Sequence, residues 1–446
     1  MMKKCAVHRG LSNLLVLAAS LWAIHTDAVV PSQNKPVLMG LVTMGDESWL
    51  QETNQLPQNL LREANAHPGV YSAAVIQAAW SQIEPQQNVF DDSTISNTLN
   101  VIKTYNAEYP STPLVGKLRV FAGIHCPSWV LQQVGSFTFT NYTTNYQVTA
   151  GVITTNVYTN INLVPDFWTT NYSVLWEGMQ NHLAGIYDTN PLMGEVAISV
   201  GSSITAEPFV IPGAAVPEMV AAGFTYGQMA FCLSNAPSVY AAWKQTPLDY
   251  TFNPTLNAGV GESPPFSVQV MTAFRQALGT RAVLANHDLD YPAFSTEAGD
   301  YAEFRALYSA ALNADPPVLS PLEFQTSGPT VDWNAVVPFA VDVYHPTEIE
   351  IWNTTAVPKG LAPVSLGQLQ QWAMMLKSRL VCLGTGSGNP FPMVYLGVLG
   401  SNYTLQASVD LTHWTTLLNF TCTNQPMKLL DAQSGGNSQR FYRILP

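Results

Sequence analysis

Charge is scarce in this chain. Only 11% of its 446 residues are Asp, Glu, Lys or Arg, and the basic ones are the minority, 18 against 30. A net charge of -12 argues against nucleic acid and anionic lipid as partners, because both require a basic surface. Cysteine is scarce too. Beyond Cys5 there are Cys126, Cys232, Cys382 and Cys422, whose spacing matches no zinc motif and is too sparse for a disulfide framework. Two bridges and four thiols are equally compatible with that count. After residue 28 no apolar run is long enough for a membrane helix. There is no G-x-G-x-x-G after the first strand, no G-x-S-x-G and no phosphate loop. These absences exclude a dinucleotide fold, a serine-hydrolase elbow and a P-loop enzyme. Nothing in the sequence requires a metal or a cofactor.

What is present begins with an address. Lys3, Lys4 and Arg9 precede an apolar run over 14–24, and small residues end it, with Ala28 as the expected cleavage point. This is the order of a secretory signal over 1–28. The mature chain is expected to be secreted, periplasmic or held at a bacterial cell surface. Loss of the leader takes the formal charge from -12 to about -14. The frequent Asn, Thr, Gln and aromatic residues suit a neutral, polyhydroxyl ligand.

Short β-prone runs then alternate with helical periodicity. The strands are expected at 37–43, 71–80, 116–124, 195–204, 248–252, 282–287, 318–324 and 348–352. Helices are expected between them at 56–66, 93–105, 174–187, 267–278, 301–311, 331–344 and 366–377. Eight strand–helix units favour a closed α/β structure, a (β/α)8 TIM barrel over 29–383, rather than an open sheet. One stretch breaks the rhythm: residues 137–172, rich in Thr, Asn, Tyr and Val, read as an insertion after the third strand, either an extra hairpin beside the cleft or a solvated β-rich loop. Residues 384–391 read as a linker, and 392–446 as a small all-β C-terminal module. The module resembles one common in secreted proteins of the Verrucomicrobia and Planctomycetes.

In this fold the strand ends face the active site. The fourth strand runs into Ser203-Ile-Thr-Ala-Glu-Pro-Phe209, and the seventh into Pro321-Leu-Glu-Phe-Gln-Thr326. Each run places one carboxylate, Glu207 or Glu323, at an expected strand exit. The two lie 116 residues apart, which is three strand–helix units of about 39 residues. A pair of carboxylates across a cleft is what glycosidic-bond cleavage needs: one protonated to assist the leaving oxygen, one ionised to attack or to activate water. A barrel mouth tunes two such groups apart through unequal desolvation.

With Glu-Pro at strand four and a lone Glu at strand seven, the chain resembles the clan A glycoside hydrolases. Trp80-Ser-Gln-Ile-Glu-Pro85 with Phe90-Asp91, Lys117-Leu-Arg-Val-Phe-Ala-Gly-Ile-His125 with Pro127 and Trp129, and Glu350-Ile-Trp-Asn353 are similar to that clan's segments after strands two, three and eight. The resemblance covers roughly residues 37–378. It implies retention of configuration, with Glu207 as acid/base and Glu323 as nucleophile. It also implies a carbohydrate substrate bound by Trp80, His125, Trp129 and Trp352. One position departs from the pattern: the clan's Asn before the acid/base is Ala206 here, and Asn286 or His287 is the expected substitute. That departure keeps a catalytically silent sugar-binding barrel in play, and an inverting glycosidase is the other alternative.

The remaining acids have structural readings. Glu84 follows strand two in a turn, where it caps a helix or pairs with Arg119. Glu195 is expected to face solvent. Glu350, inside a strand, needs a buried partner such as Arg119 or Lys117. His287, Asp288 and Asp290 on neighbouring positions suit a sugar-hydroxyl network better than a divalent ion. Trp49 and Trp168 are either stacking platforms or covers for apolar surface.

Overall fold

The computed structural model describes residues 34–44, 61–149, 152–208, 213–252, 264–289, 321–326, 332–351, 364–382, 390–435 and 439–445. Strands β1 (Gly40–Thr43), β2 (Tyr71–Ala79) and β3 (Val115–Phe121) come first. An antiparallel hairpin of β4 (Ser136–Thr149) and β5 (Val152–Pro165) interrupts them. β6 (Met193–Ala197), β7 (Leu248–Thr251), β8 (Ala282–Leu289), β9 (Leu322–Thr326) and β10 (Glu348–Ile351) follow. β1–β3 and β6–β10 form one closed parallel barrel, with β10 returning to pair with β1. This is the (β/α)8 barrel expected from the alternation of elements. Helices Ser93–Glu108, Thr170–Tyr187, Tyr226–Val239, Pro264–Leu278, Trp333–Val343 and Leu366–Lys377 lie between strands in the chain. Among the described residues no helix is long and apolar enough to cross a membrane.

The strands obey the two-residue pleat, and the two faces differ sharply. Outward residues such as Leu118, Val120, Val196, Tyr250, Leu284, Phe324, Ile349 and Ile351 join the main apolar core beneath the helices. Part of the inward face is apolar as well: Val42, Ala73 and Val75 of β1 and β2 pack with Leu38 and Met44. Much of the rest of the interior is charged or polar. Lys117, Arg119, Glu195, Asp249, Thr251, Glu323, Gln325, Glu348 and Glu350 are all buried. Barrel interiors are ordinarily filled by branched apolar side chains, so half of this one is built differently. Glu195 is therefore not a surface residue. It is fully buried, because the strand that carries it is covered on both faces.

The segment 137–172 forms the hairpin reading of the insertion. Its base is anchored by Phe137, Phe139 and Val164 in the main core, with Phe137 against Trp168 at 5.7 Å between ring centres. Trp168 is buried, so it covers apolar surface. The tail makes two three-stranded sheets, β11 (Arg379–Cys382) with β12 (Phe391–Leu396) and β15 (Met427–Asp431), and β14 (Thr415–Thr421) with β13 (Asn402–Ser408) and β16 (Phe441–Leu445). Strand pairing thus joins Arg379–Cys382, ahead of the expected linker, to the tail sheet. Leu396 packs on Met39, and Gln425 Nε2 approaches Met39 Sδ at 2.9 Å. Met39 immediately precedes β1, so the tail docks at the barrel's N-terminal end. Cys126, Cys232, Cys382 and Cys422 are free, and all but Cys382 are buried.

Candidate active site

Glu207 does not sit on a strand. β6 ends at Ala197, and residues 198–208 turn back across the barrel's C-terminal end. That loop is pressed onto the loop after β3. Ile124 N donates to Ser203 O at 2.9 Å, and Gly123, at φ +50°, leaves room for a Ser203 carbonyl that a Cβ would meet at 1.8 Å. Only glycine tolerates both the backbone angle and the approach. Glu323 is likewise not at a strand exit. Pro321 precedes β9, the strand begins at Leu322, and Glu323 is its second residue. The inward position nearer the mouth belongs to Gln325.

His287 joins the two. It projects inward from β8, with Nδ1 2.8 Å from Glu207 Oε1 and Nε2 3.3 Å from Glu323 Oε2. Thr251 Oγ1 lies 3.3 Å and Arg119 Nη2 3.5 Å from the same Nε2. Exposure orders the three acid–base groups by depth: the Glu207 side chain is 15% accessible, His287 3% and Glu323 0%.

Beneath them lies a buried ionic cluster. Lys117 Nζ is 2.9 Å from Glu195 and from Asp249, 3.0 Å from Glu350, 3.6 Å from Glu348 and 3.9 Å from Glu323. Arg119 Nη2 donates to both Glu350 oxygens at 2.8 and 2.9 Å. Glu350 is therefore in the buried pairs expected of it. Burial opposes the charge on Lys117, yet Asp249 and Glu195, then Glu323 and Glu348, hold its pKa well above the ordinary lysine value. Burial also raises Glu348, reinforced by Glu195, and raises Glu195 despite Lys117.

The acid–base groups separate strongly. Burial raises Glu323, and Lys117 and His287 offset that only in part, leaving it at about 7. Burial would raise Glu207 as well, but the His287 hydrogen bond and charge, with Arg119, hold it down to about 2. Burial would lower His287, and the charge of Glu323 with the Glu207 hydrogen bond instead raises it to about 10. In this state Glu207 is the ionised carboxylate and Glu323 the one nearer its proton, the reverse of the resting states that an acid/base Glu207 and a nucleophilic Glu323 require.

Other expected site residues fall elsewhere. Trp80 is fully buried, edge-on to Trp129, Tyr172 and Trp176, and its Nε1 donates to Glu84 at 3.0 Å. It is a core residue and offers no stacking face. Glu84 also accepts from Asn88 N, so its role is structural, but it binds neither Arg119 nor the start of the following helix, whose N-cap is Asp92. Trp129, half-buried, donates to Glu84 O. His125 is half-buried and edge-on to Phe121. Asn286 is fully buried and donates to Phe252 O at 2.7 Å, so it does not replace the missing Asn. Ala206 packs on Ala79 and Phe121. Trp352, Trp49, Asp290, the signal segment expected at 1–28 and the helix expected at 301–311 lie outside the described residues, as does the Asp288 side chain.

Asp249, His287 and Glu323 offer ligand atoms within 4.8 Å of one another. The Lys117 ammonium and the Arg119 guanidinium already stand against these three residues, so a divalent ion there would sit beside two fixed cations. The donor set fits a proton-bearing network better.

No family model matches the sequence, and no curated protein matches it. Among solved structures, endo-glycoceramidase II from Rhodococcus sp. aligns over 93% of this chain and 99% of its own, at 12% identity and a TM-score of 0.45. An exo-beta-1,4-mannosidase from Opitutaceae bacterium strain TAV5 aligns over 78% and 63%, at 9% identity and 0.42. A GH5_18 protein from Bifidobacterium longum subsp. infantis aligns over 76% and 79%, at 10% identity and 0.43. Likeness this slight decides neither family nor chemistry, and the functional case rests on the chain's own residues.

Asp249, Glu348 and the centrality of Lys117 were not singled out from sequence. A signal for them was present: Lys117-Leu-Arg119, Asp249-Tyr-Thr251, Glu323-Phe-Gln325 and Glu348-Ile-Glu350 alternate polar and apolar residues within strands that a barrel buries on both faces.

Proposed function

We propose that this protein is a glycoside hydrolase that cleaves O-glycosidic bonds of an oligo- or polysaccharide, with Glu207 and Glu323 as its carboxylate pair. The observation that carries the reading is their convergence on His287 from loops and strands 116 residues apart. With 2.8 Å on one side of the ring and 3.3 Å on the other, their oxygens lie no more than about 8 Å apart, a bound that admits both the retaining separation of about 5–5.5 Å and the inverting one of about 6.5–9.5 Å. In this reading Glu207, the most exposed of the three groups, meets the glycosidic oxygen as acid/base. Glu323 lies behind the imidazole, so attack on the anomeric carbon requires the ring to turn aside. We favour retention, on the clan A resemblance. The order of residues in 1–28 supports export.

A panel of aryl glycosides assayed against Glu207→Gln and Glu323→Gln tests this. Each variant is expected to lose about 10²–10⁴-fold in kcat/KM on a substrate the wild type cleaves. Proton NMR of the first-formed anomer separates retention from inversion. Sugar binding without turnover by the wild type would support the silent barrel, for which the apolar surroundings of Ala206 speak.

A further inference from the structure

A carboxylate held at about 2 carries no proton at neutral pH, yet an acid/base must carry one when substrate is bound. Either Glu207 is protonated afresh from solvent, or a neighbour supplies the proton. Among the described residues, those that bear on its proton are His287, Arg119 and the Thr205 hydroxyl. Arg119 does not release protons in this range, and Lys117 is enclosed by carboxylates at full burial. His287 is different. Its Nδ1 is aimed at Glu207 Oε1 at 2.8 Å, and its Nε2 faces Glu323, Thr251 and Arg119. With carboxylate oxygens on both sides, the doubly protonated ring is the form that donates in both directions. Asp249 closes the same cluster, and Glu350 is drawn off by Arg119.

We propose that His287 stores the proton that Glu207 delivers, passing it through Nδ1. The storage step stands on the geometry alone; the delivery step rests on the glycosidase reading above. In the resting site the imidazolium donates Nδ1–H to Glu207 and Nε2–H to Glu323. Transfer across the 2.8 Å contact leaves a neutral imidazole that keeps its Nε2–H and a protonated Glu207. Glu207 gives this proton to the glycosidic oxygen as the bond to the anomeric carbon breaks and its electron pair leaves with that oxygen. The Glu323 carboxylate supplies the pair that replaces it. In the second half-reaction water attacks the anomeric carbon, releases Glu323, and loses a proton to Glu207, from which it returns to Nδ1. The sum is one water consumed and no net proton. Transfer also removes the ion pair that pins the ring between the carboxylates, which is the condition for the ring to turn.

Two measurements test this. In ¹⁵N-histidine-labelled full-length protein, the His287 ring is expected to show both nitrogens protonated up to pH 8, and Glu207→Gln is expected to lower the pH at which it deprotonates. A neutral ring at pH 7 in the wild type would overturn the proposal. Kinetically, His287→Gln is expected to lose about 100-fold more kcat/KM on a glycoside with an alkyl leaving group than on the dinitrophenyl glycoside of the same sugar, with the pH profile altered. Equal losses on both, with the profile unmoved, would make His287 only a positioning residue and overturn the proposal. If His287→Gln does not fold, the ring titration in wild type and Glu207→Gln still decides. A wild type that cleaves no glycoside sinks the functional reading, while the titration still decides where the proton rests.

Discussion

Lys117 is the residue on which the barrel interior turns. Five carboxylates face its ammonium within 3.9 Å, and all six groups are fully buried. Removing one partner from a buried ionic set leaves uncompensated charge, whereas a matched set is near neutral for stability. Lys117→Met is therefore expected to lower stability by roughly 3–5 kcal/mol at pH 7, measured by urea unfolding. The loss should shrink at pH 5, where the carboxyls can take up protons. At this scale the sequence was partly legible. Glu207, Glu323 and His287 were recognisable because reactive side chains near the ends of apolar runs are unusual. Trp80 and Asn286 were not separable from cleft-lining candidates, because burial is set by what packs over them. The full enclosure of Trp80 by Trp129, Tyr172 and Trp176 joins residues nearly a hundred positions apart.

Among elements, the loop of residues 198–208 matters most, since it holds Glu207 over the barrel. Its anchor is the contact between Gly123 and Ser203. Gly123→Ala places a Cβ against the Ser203 carbonyl at a positive φ. It is expected to cost about 1–3 kcal/mol and to weaken the Glu207–His287 contact, read as a lower Tm together with a lower His287 pKa by NMR. An unchanged His287 titration in a folded Gly123→Ala protein would show that this anchor does not position Glu207. The eight barrel strands were all foreseeable from period-two and helical patterning, but their ends were not. β6 stops at Ala197 because the chain turns toward the Gly123 loop. The described part of β9 runs Leu322–Thr326, directly after Pro321, and Glu323 is its second residue. The end of β6 comes from local chemistry that hydropathy does not encode, and both strands changed where a catalytic candidate sits.

For the whole molecule, the buried charges set a pH dependence of stability. Glu323, Glu348 and Glu195 have raised pKa values in the folded state. Folding therefore favours their protonated forms, and their contribution is complete below about pH 4.5 and is lost as pH rises, for Glu323 through about 7. His287 adds stability that is complete below about pH 6.5 and is lost as pH rises through about 10. Glu207 and Glu350, held at about 2, contribute above about pH 4.5 and lose that contribution as pH falls through 2. Tm should therefore peak in mildly acid solution, at about pH 4–6, and decline toward pH 10. A Tm that climbs steadily from pH 5 to 9 would mean that the interior is not charged as described.

The central claim is that Glu207 and Glu323 act on one glycosidic bond by double displacement, with Glu323 as the nucleophile. Its most direct test is to incubate the protein with 2-deoxy-2-fluoro dinitrophenyl glycosides of the sugars it cleaves and to map the adduct by peptide mass spectrometry. The account predicts one added glycosyl unit on the peptide that contains Glu323, absent in Glu323→Gln. A label on another carboxylate, or turnover with inverted product and no adduct, would contradict it.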